Sequence, residues 1–244
     1  MIRRILNTLV FILIVLLNAL AELIPINGKT TGELSNRIEV LITPAGYAFS
    51  IWSLIYLLIG IWIIRQYPQS RHQLPVYTNT STAFIISGLL NCAWILVWHY
   101  EYFTISLIVM VAYLISLIIL YKQMKSSNPR CLDIAPFSIN LGWVSVATIV
   151  NAAYVLKNNG WDGFGYSDEV WTIIMLIIGA GLAITFKIEE SDYLYPLVFV
   201  WAFIAIGIKN QEGSDWIAYT AFGLAAIIFI VACIPIKNKK RTLN

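Results

Sequence analysis

Apolar and polar positions alternate along the chain in long blocks. Eight apolar runs, at 5–24, 44–64, 83–98, 103–121, 134–156, 170–186, 193–208 and 216–236, are separated by short polar connectors. A helix needs about 20 mostly apolar residues to cross the hydrocarbon core of a bilayer, so the pattern predicts an all-α, polytopic membrane bundle of eight transmembrane helices. The run at 193–208 is the shortest, and Lys209 can lengthen it by snorkelling to the interface. No connector is long enough to separate independently folded soluble domains.

Composition sharpens this picture. Of 244 residues, 59% are hydrophobic and only 12% charged, against roughly 25% charged in ordinary soluble domains, which excludes a soluble protein. Placing the N-terminus in the cytoplasm puts Arg3, Arg4, Arg65, Arg71, Lys122, Lys125, Arg130, Lys187, Lys237, Lys239, Lys240 and Arg241 inside. Only Lys29, Arg37, Lys157 and Lys209 of the 16 basic residues then lie outside. The positive-inside rule thus predicts a plasma-membrane protein with both termini cytoplasmic. The first run, with Arg3 and Arg4 before it and Ala19 and Ala21 near its end, also fits a cleavable signal, but it stays apolar to Ile24, which favours a retained helix. The net charge of +3 reads as topology and attraction to lipid headgroups, not nucleic-acid binding. Cys92, Cys131 and Cys233 have no metal-ligand spacing.

Chemistry inside the spans is sparse. Ionisable groups at mid-membrane mark relays and ion-coupled transport, yet Glu22, Asp133 and Lys209 all fall close to span ends, where hydration relieves them. His99 and Glu101 stand on a short outer connector and read as exposed, so no acid–base pair, nucleophile or metal site emerges. The reading leans away from an enzyme and requires no cofactor. The connector at 27–43, polar and glycine-containing, is long enough to fold over the outer helix ends as a lid.

What the spans do contain is aromatic and amide groups at a common depth. At 1.5 Å per residue, Trp52, Asn91, Ala147 and Asn151 all lie about 8–13 Å below the outer ends of their helices. Helical spacing groups Phe49, Trp52 and Tyr56 on one face, Asn91, Trp94 and Trp98 on a second, and Trp143, Ala147 and Asn151 on a third. Converging, these faces would line a pocket for a flat hydrophobic ligand. Trp98, Trp161, Trp171 and Trp216 sit nearer the boundary and read as interface anchors.

The segment TPAGYAFSIWSLIYLLIG at 43–60 resembles the second-helix motif of the translocator protein (TspO/MBR) family, the tryptophan-rich sensory proteins. The segment LNCAW at 90–94 is similar to that family's third-helix motif, and WVSVATIVN at 143–151 to its fifth-helix motif. The resemblance implies a five-helix ligand-binding bundle at 1–157; the three additional helices and basic tail at 158–244 lie outside it. It also implies a hydrophobic small-molecule partner, porphyrin or tetrapyrrole-like, with haem included, bound by Trp52, Asn91 and Trp143 with Ala147 on the same wall. Pro44 and Tyr47 would belong to the lid. A transporter of small lipophilic compounds and a porphyrin-degrading enzyme stand as alternatives to a receptor, and a homodimer is left open. The family pattern is broken at Ala45, where a second proline is expected, at Tyr47, where a tryptophan is, and at Ser50-Ile51, in place of Gly-Pro.

Overall fold

The computed structural model describes residues 2–235, and every regular element among them is helical. In chain order these are α1 (Ile2–Leu23), α2 (Thr31–Asn36), α3 (Ile51–Ile64), α4 (Pro75–Thr78), α5 (Ser81–His99), α6 (Phe103–Ser126), α7 (Cys131–Asn158), α8 (Asp168–Glu190), α9 (Leu194–Asn210) and α10 (Asp215–Cys233). Seven helical segments are long and apolar enough to cross a membrane, with α3 counted together with the tight turn Gly46–Ser50 and α5 together with α4. The eighth, α9, has 17 residues and so spans about 25 Å, at the short limit of a crossing. The chain is a polytopic, integral membrane bundle. The basic tail (Lys237, Lys239, Lys240, Arg241) lies outside the described residues.

Successive long helices reverse direction, so their connectors gather at two ends. The lid end carries α2 and the connectors at 100–102, 159–167 and 211–214; the terminal end carries Ile2 and the connectors at 65–74, 127–130 and 191–193. Around the centre, α1 packs on α3, α3 on α7, α7 on α6, α6 on α5 and α5 back on α1, a closed ring of five. Lipid is as apolar as leucine, so helices in a membrane associate through close packing and buried polar pairs. Gly88 of α5 provides the first: a Cβ there would collide with Val10 and Ile14 of α1. Asn7 provides the second, donating to Gln66 at 2.9 Å and accepting from the Ser81 hydroxyl at 2.7 Å.

Helices α8, α9 and α10 pack on one another, and α9 lies against α7 outside the ring. Contact is close at Gly142, where an added Cβ would sit 3.1 Å from the Tyr195 carbonyl. At the terminal end the buried Asp192 caps α9 by accepting from the Leu194 amide at 2.8 Å, and also accepts from Tyr121 at 2.8 Å and Ser138 at 2.9 Å. One carboxylate thus ties α6, α7 and α9 together.

The second apolar run, expected to be helical from Pro44, becomes α-helical only at Ile51. Before that the chain dips alongside α9. Asn210 donates to the Leu41 carbonyl (3.0 Å), the Ala45 amide donates to the Ala205 carbonyl (3.2 Å), and the Trp201 indole donates to the Ala48 carbonyl (3.0 Å). From residue 210 to residue 201 these contacts descend about 13 Å along α9. Irregular backbone at membrane depth survives only when protein satisfies its polar groups, and α9 does this.

Candidate ligand site

Beneath the lid, α3, α5 and α7 enclose a narrow aromatic cavity of about 40 Å³, lined by Pro44, Phe49, Trp52, Trp94, Trp98, Trp143, Ala147 and Asn151, with Thr31 and Ser35 of α2 closing it above. Trp143 stands edge-on to both Phe49 (5.8 Å between ring centroids, 86°) and Trp52 (6.3 Å, 87°). Trp94 and Trp98 are stacked at 5.9 Å, and both indole N–H groups are buried without a hydrogen-bond partner. Asn151 is anchored to the Ser106 hydroxyl at 3.3 Å. Trp98, expected as an interface anchor, is only 3% exposed and forms cavity wall. Distance from the helix end alone places it at the boundary, but the lid covers that end. Trp216, by contrast, is 74% exposed.

Asn91 does not reach this cavity. Its side chain accepts from Asn18 of α1 at 2.9 Å, and its own NH₂ group lies buried and unpartnered, as does the Tyr56 hydroxyl. The Tyr56 ring stacks on Trp52 (5.5 Å, 16°). Tyr56 and Asn18, with Glu22, Ser53 and Thr31, line a larger cavity of about 440 Å³ between α1 and α3. Phe49 and Trp52 are walls of both cavities and so form the partition between them. Of the predicted residues, Tyr56 belongs to the larger space and Asn91 lines neither cavity, while Asn18 and Glu22 complete the second. Asn18 carried a signal in the sequence, being an amide in an apolar run. Nothing local indicated which helix it would face.

The lid is built and fastened by short-range chemistry. Thr30 and Glu33 form a reciprocal capping box at the start of α2. Asn27 donates to the His99 carbonyl at 3.1 Å. His99 is fully buried, its Nδ1 donating to the Ile95 carbonyl at 2.8 Å, which leaves Nε2 to accept from the Thr31 hydroxyl at 3.5 Å. Glu101 pairs with Lys29 at 2.6 Å and with Arg37. The expectation that His99 and Glu101 are exposed thus fails for His99, which the lid buries, while Glu101 keeps 27% of its side chain exposed. Glu101 also ends α5 in the left-handed region, at φ +61°, with the Tyr102 amide donating back to Val97 at 3.0 Å. A glycine would relax that position by about 1 kcal/mol but would bring no carboxylate.

Its hydrogen bonds to Lys29 and then Arg37 hold the Glu101 carboxyl below the usual carboxylate range. A lowered value means that the fastening is present above the ordinary carboxylate pKa of about 4.3 and is lost as pH falls through the lowered value. Amide exchange in α2, corrected for intrinsic rate, is expected to stay flat from neutral pH to about pH 5 and to accelerate only below about pH 4. Glu101→Gln is expected to exchange at the accelerated rate throughout.

Tyr47, expected on the lid, points away from the cavity. Its ring meets Trp201 edge-on at 5.3 Å, on the side of α9. The other departures from the family pattern lie on the same side: Ala45 donates its amide to Ala205, and Ser50 and Ile51 line a groove with Leu197 and Trp201. A proline at 45 would have no N–H to give. Ala45 already has φ −56°, within proline's range, so Ala45→Pro isolates the missing donor. It is expected to destabilise the folded protein by about 1–2 kcal/mol, read from the midpoint of unfolding in detergent.

Asp133, expected at a hydrated span end, is 2% exposed. Arg65 donates to it at 3.0 Å, Arg71 at 3.1 Å and Tyr77 at 2.9 Å. This cluster lies at the terminal end, across the membrane from the lid. Among the described residues no group of three or more His, Cys, Asp or Glu side chains is placed to hold a metal ion.

Fold and cavities together define an integral membrane helical bundle with an aromatic, lid-covered cavity. A family model described as TSPO-like protein matches residues 4–234, and the chain belongs to that family. The match runs through α8, α9 and α10, which none of the three motifs reaches. No curated protein and no solved structure matches significantly.

Proposed function

We propose that the protein is a membrane receptor for a flat, hydrophobic, porphyrin- or tetrapyrrole-like ligand. The observation that carries this reading is the stacked pair Trp94 and Trp98, whose two buried indole donors have no partner and belong to the cavity wall. A buried donor left unpaired costs about 1–3 kcal/mol, and a ligand acceptor removes that cost.

The aromatic cavity alone holds only a few waters at about 10–15 Å³ each. The space beside it reaches the several hundred Å³ typical of ligand sites. Rotation of Trp52 joins the two, so a flat ligand enters between α1 and α3 and slides edge-first toward Trp143. Its polar edge then meets the unpaired Tyr56 hydroxyl and the Asn18 amide, which Asn91 holds in place. Titration with protoporphyrin IX is expected to quench tryptophan fluorescence saturably, with affinity weakened about tenfold in Trp52→Ala and in Asn91→Ala. Unchanged affinity in both variants rules this site out.

A transporter of lipophilic compounds is a second reading, favoured by the position of the larger cavity at the α1–α3 seam. It predicts protein-dependent porphyrin flux across reconstituted vesicles. Binding without flux leaves the receptor alone.

A further inference from the structure

We propose a second binding site, for the zwitterionic headgroup of a phospholipid, in the cavity of about 210 Å³ between α7, α8 and the lid segment. This space lies outside the five-helix ring. Its aromatic wall is Trp161 and Trp171, 4.9 Å apart and inclined at 57°, and Leu41 of the lid segment also lines it.

The loop above the cavity is pinned in place. Trp171 Nε1 donates to the Gly163 carbonyl at 2.8 Å, and the Asp162 carboxylate accepts from the Phe164 amide at 3.0 Å. Phe164 is thereby held at φ +54°, a conformation that costs a bulky side chain energy and persists only where surroundings enforce it. Its ring is 75% exposed. With Tyr166 and Trp216, also exposed at this end of the bundle, it marks the headgroup level, where aromatic side chains collect.

The charge pattern selects the ligand. Lys157 and Asp168 line the cavity and pair with each other. The lining therefore carries one charge of each sign and none in sum. A net anion or a net cation would leave one of the two unpaired, whereas a zwitterion pairs both. The phosphate takes Lys157. The ammonium takes Asp168 and lies over the indole faces, a cation–π contact. Leu156, 42% exposed, borders the cavity and leads the acyl chains into the bilayer beside α7.

The test is native mass spectrometry of the full chain in detergent with dioleoyl phosphatidylcholine and dioleoyl phosphatidylglycerol, lipids with identical chains. Phosphatidylcholine is expected to be retained about tenfold better. Lys157→Gln is expected to lose that retention. Asp168→Asn leaves a net positive site and is expected to reverse the preference toward phosphatidylglycerol. Both substitutions change partly exposed side chains. Equal retention of the two lipids by the unaltered chain, or a phosphatidylcholine preference unmoved by both substitutions, overturns the proposal.

Discussion

Replacing Asp133 by alanine is expected to destabilise the protein by about 3 kcal/mol, read as a lowered midpoint of unfolding in detergent. Removing one partner of a buried ion pair costs about 3–5 kcal/mol, mostly because the other charge is left uncompensated. Here two guanidinium groups lose their carboxylate together, and the Tyr77 hydroxyl loses its acceptor while still accepting from Arg71. The side chains of Arg65 and Arg71 keep 23% and 17% exposure, which places the effect at the lower end. Lys122→Ala breaks a pair in which Lys122 is 66% exposed, and exposed pairs contribute less than about 1 kcal/mol. The contrast between the two variants separates burial from charge.

Trp98→Ala is expected to weaken protoporphyrin binding by about 30-fold or more, the loss associated with a buried aromatic anchor worth about 2 kcal/mol. Trp98 supplies both ring area and an unpaired donor. Trp98→Phe keeps an aromatic ring while removing the N–H and part of the indole area, so a smaller loss of about fivefold is expected. Because Trp98 also packs on Phe103 and Tyr154 at 5.2 and 5.0 Å, the alanine variant loses stability as well. The phenylalanine variant is the cleaner measure of the donor. Affinities in both variants equal to that of the unaltered chain would show that the donor and the ring both lie outside the contact.

The helices were legible because a bilayer imposes length and apolarity together, and hydropathy reads both. Depth and helical spacing also put Phe49, Trp52, Trp143, Ala147 and Asn151 together, and these residues line one cavity, since rise per residue and side-chain direction are local properties. Whatever depended on a distant partner was not legible. Asn91 was placed at the right depth, but its neighbour Asn18 lies 73 positions away. Burial of His99 and Trp98 depends on the lid, which no local pattern places over them. The descent of residues 40–50 beside α9 depends on carbonyls and indoles more than 150 positions later. Ala45, Tyr47, Ser50 and Ile51 appeared in the sequence only as departures from a motif; in the fold they are the positions that meet α9.

The most direct test of a ligand held beneath the lid is an experimental structure of the full chain with protoporphyrin IX bound. The expected result is ligand density at the partition, between Trp52 and Trp143, with an acceptor near the indole nitrogens of Trp94 or Trp98. Density confined to the lipid-facing surface, or to the Trp161–Trp171 cavity, with Trp94 and Trp98 still unpartnered, would contradict it.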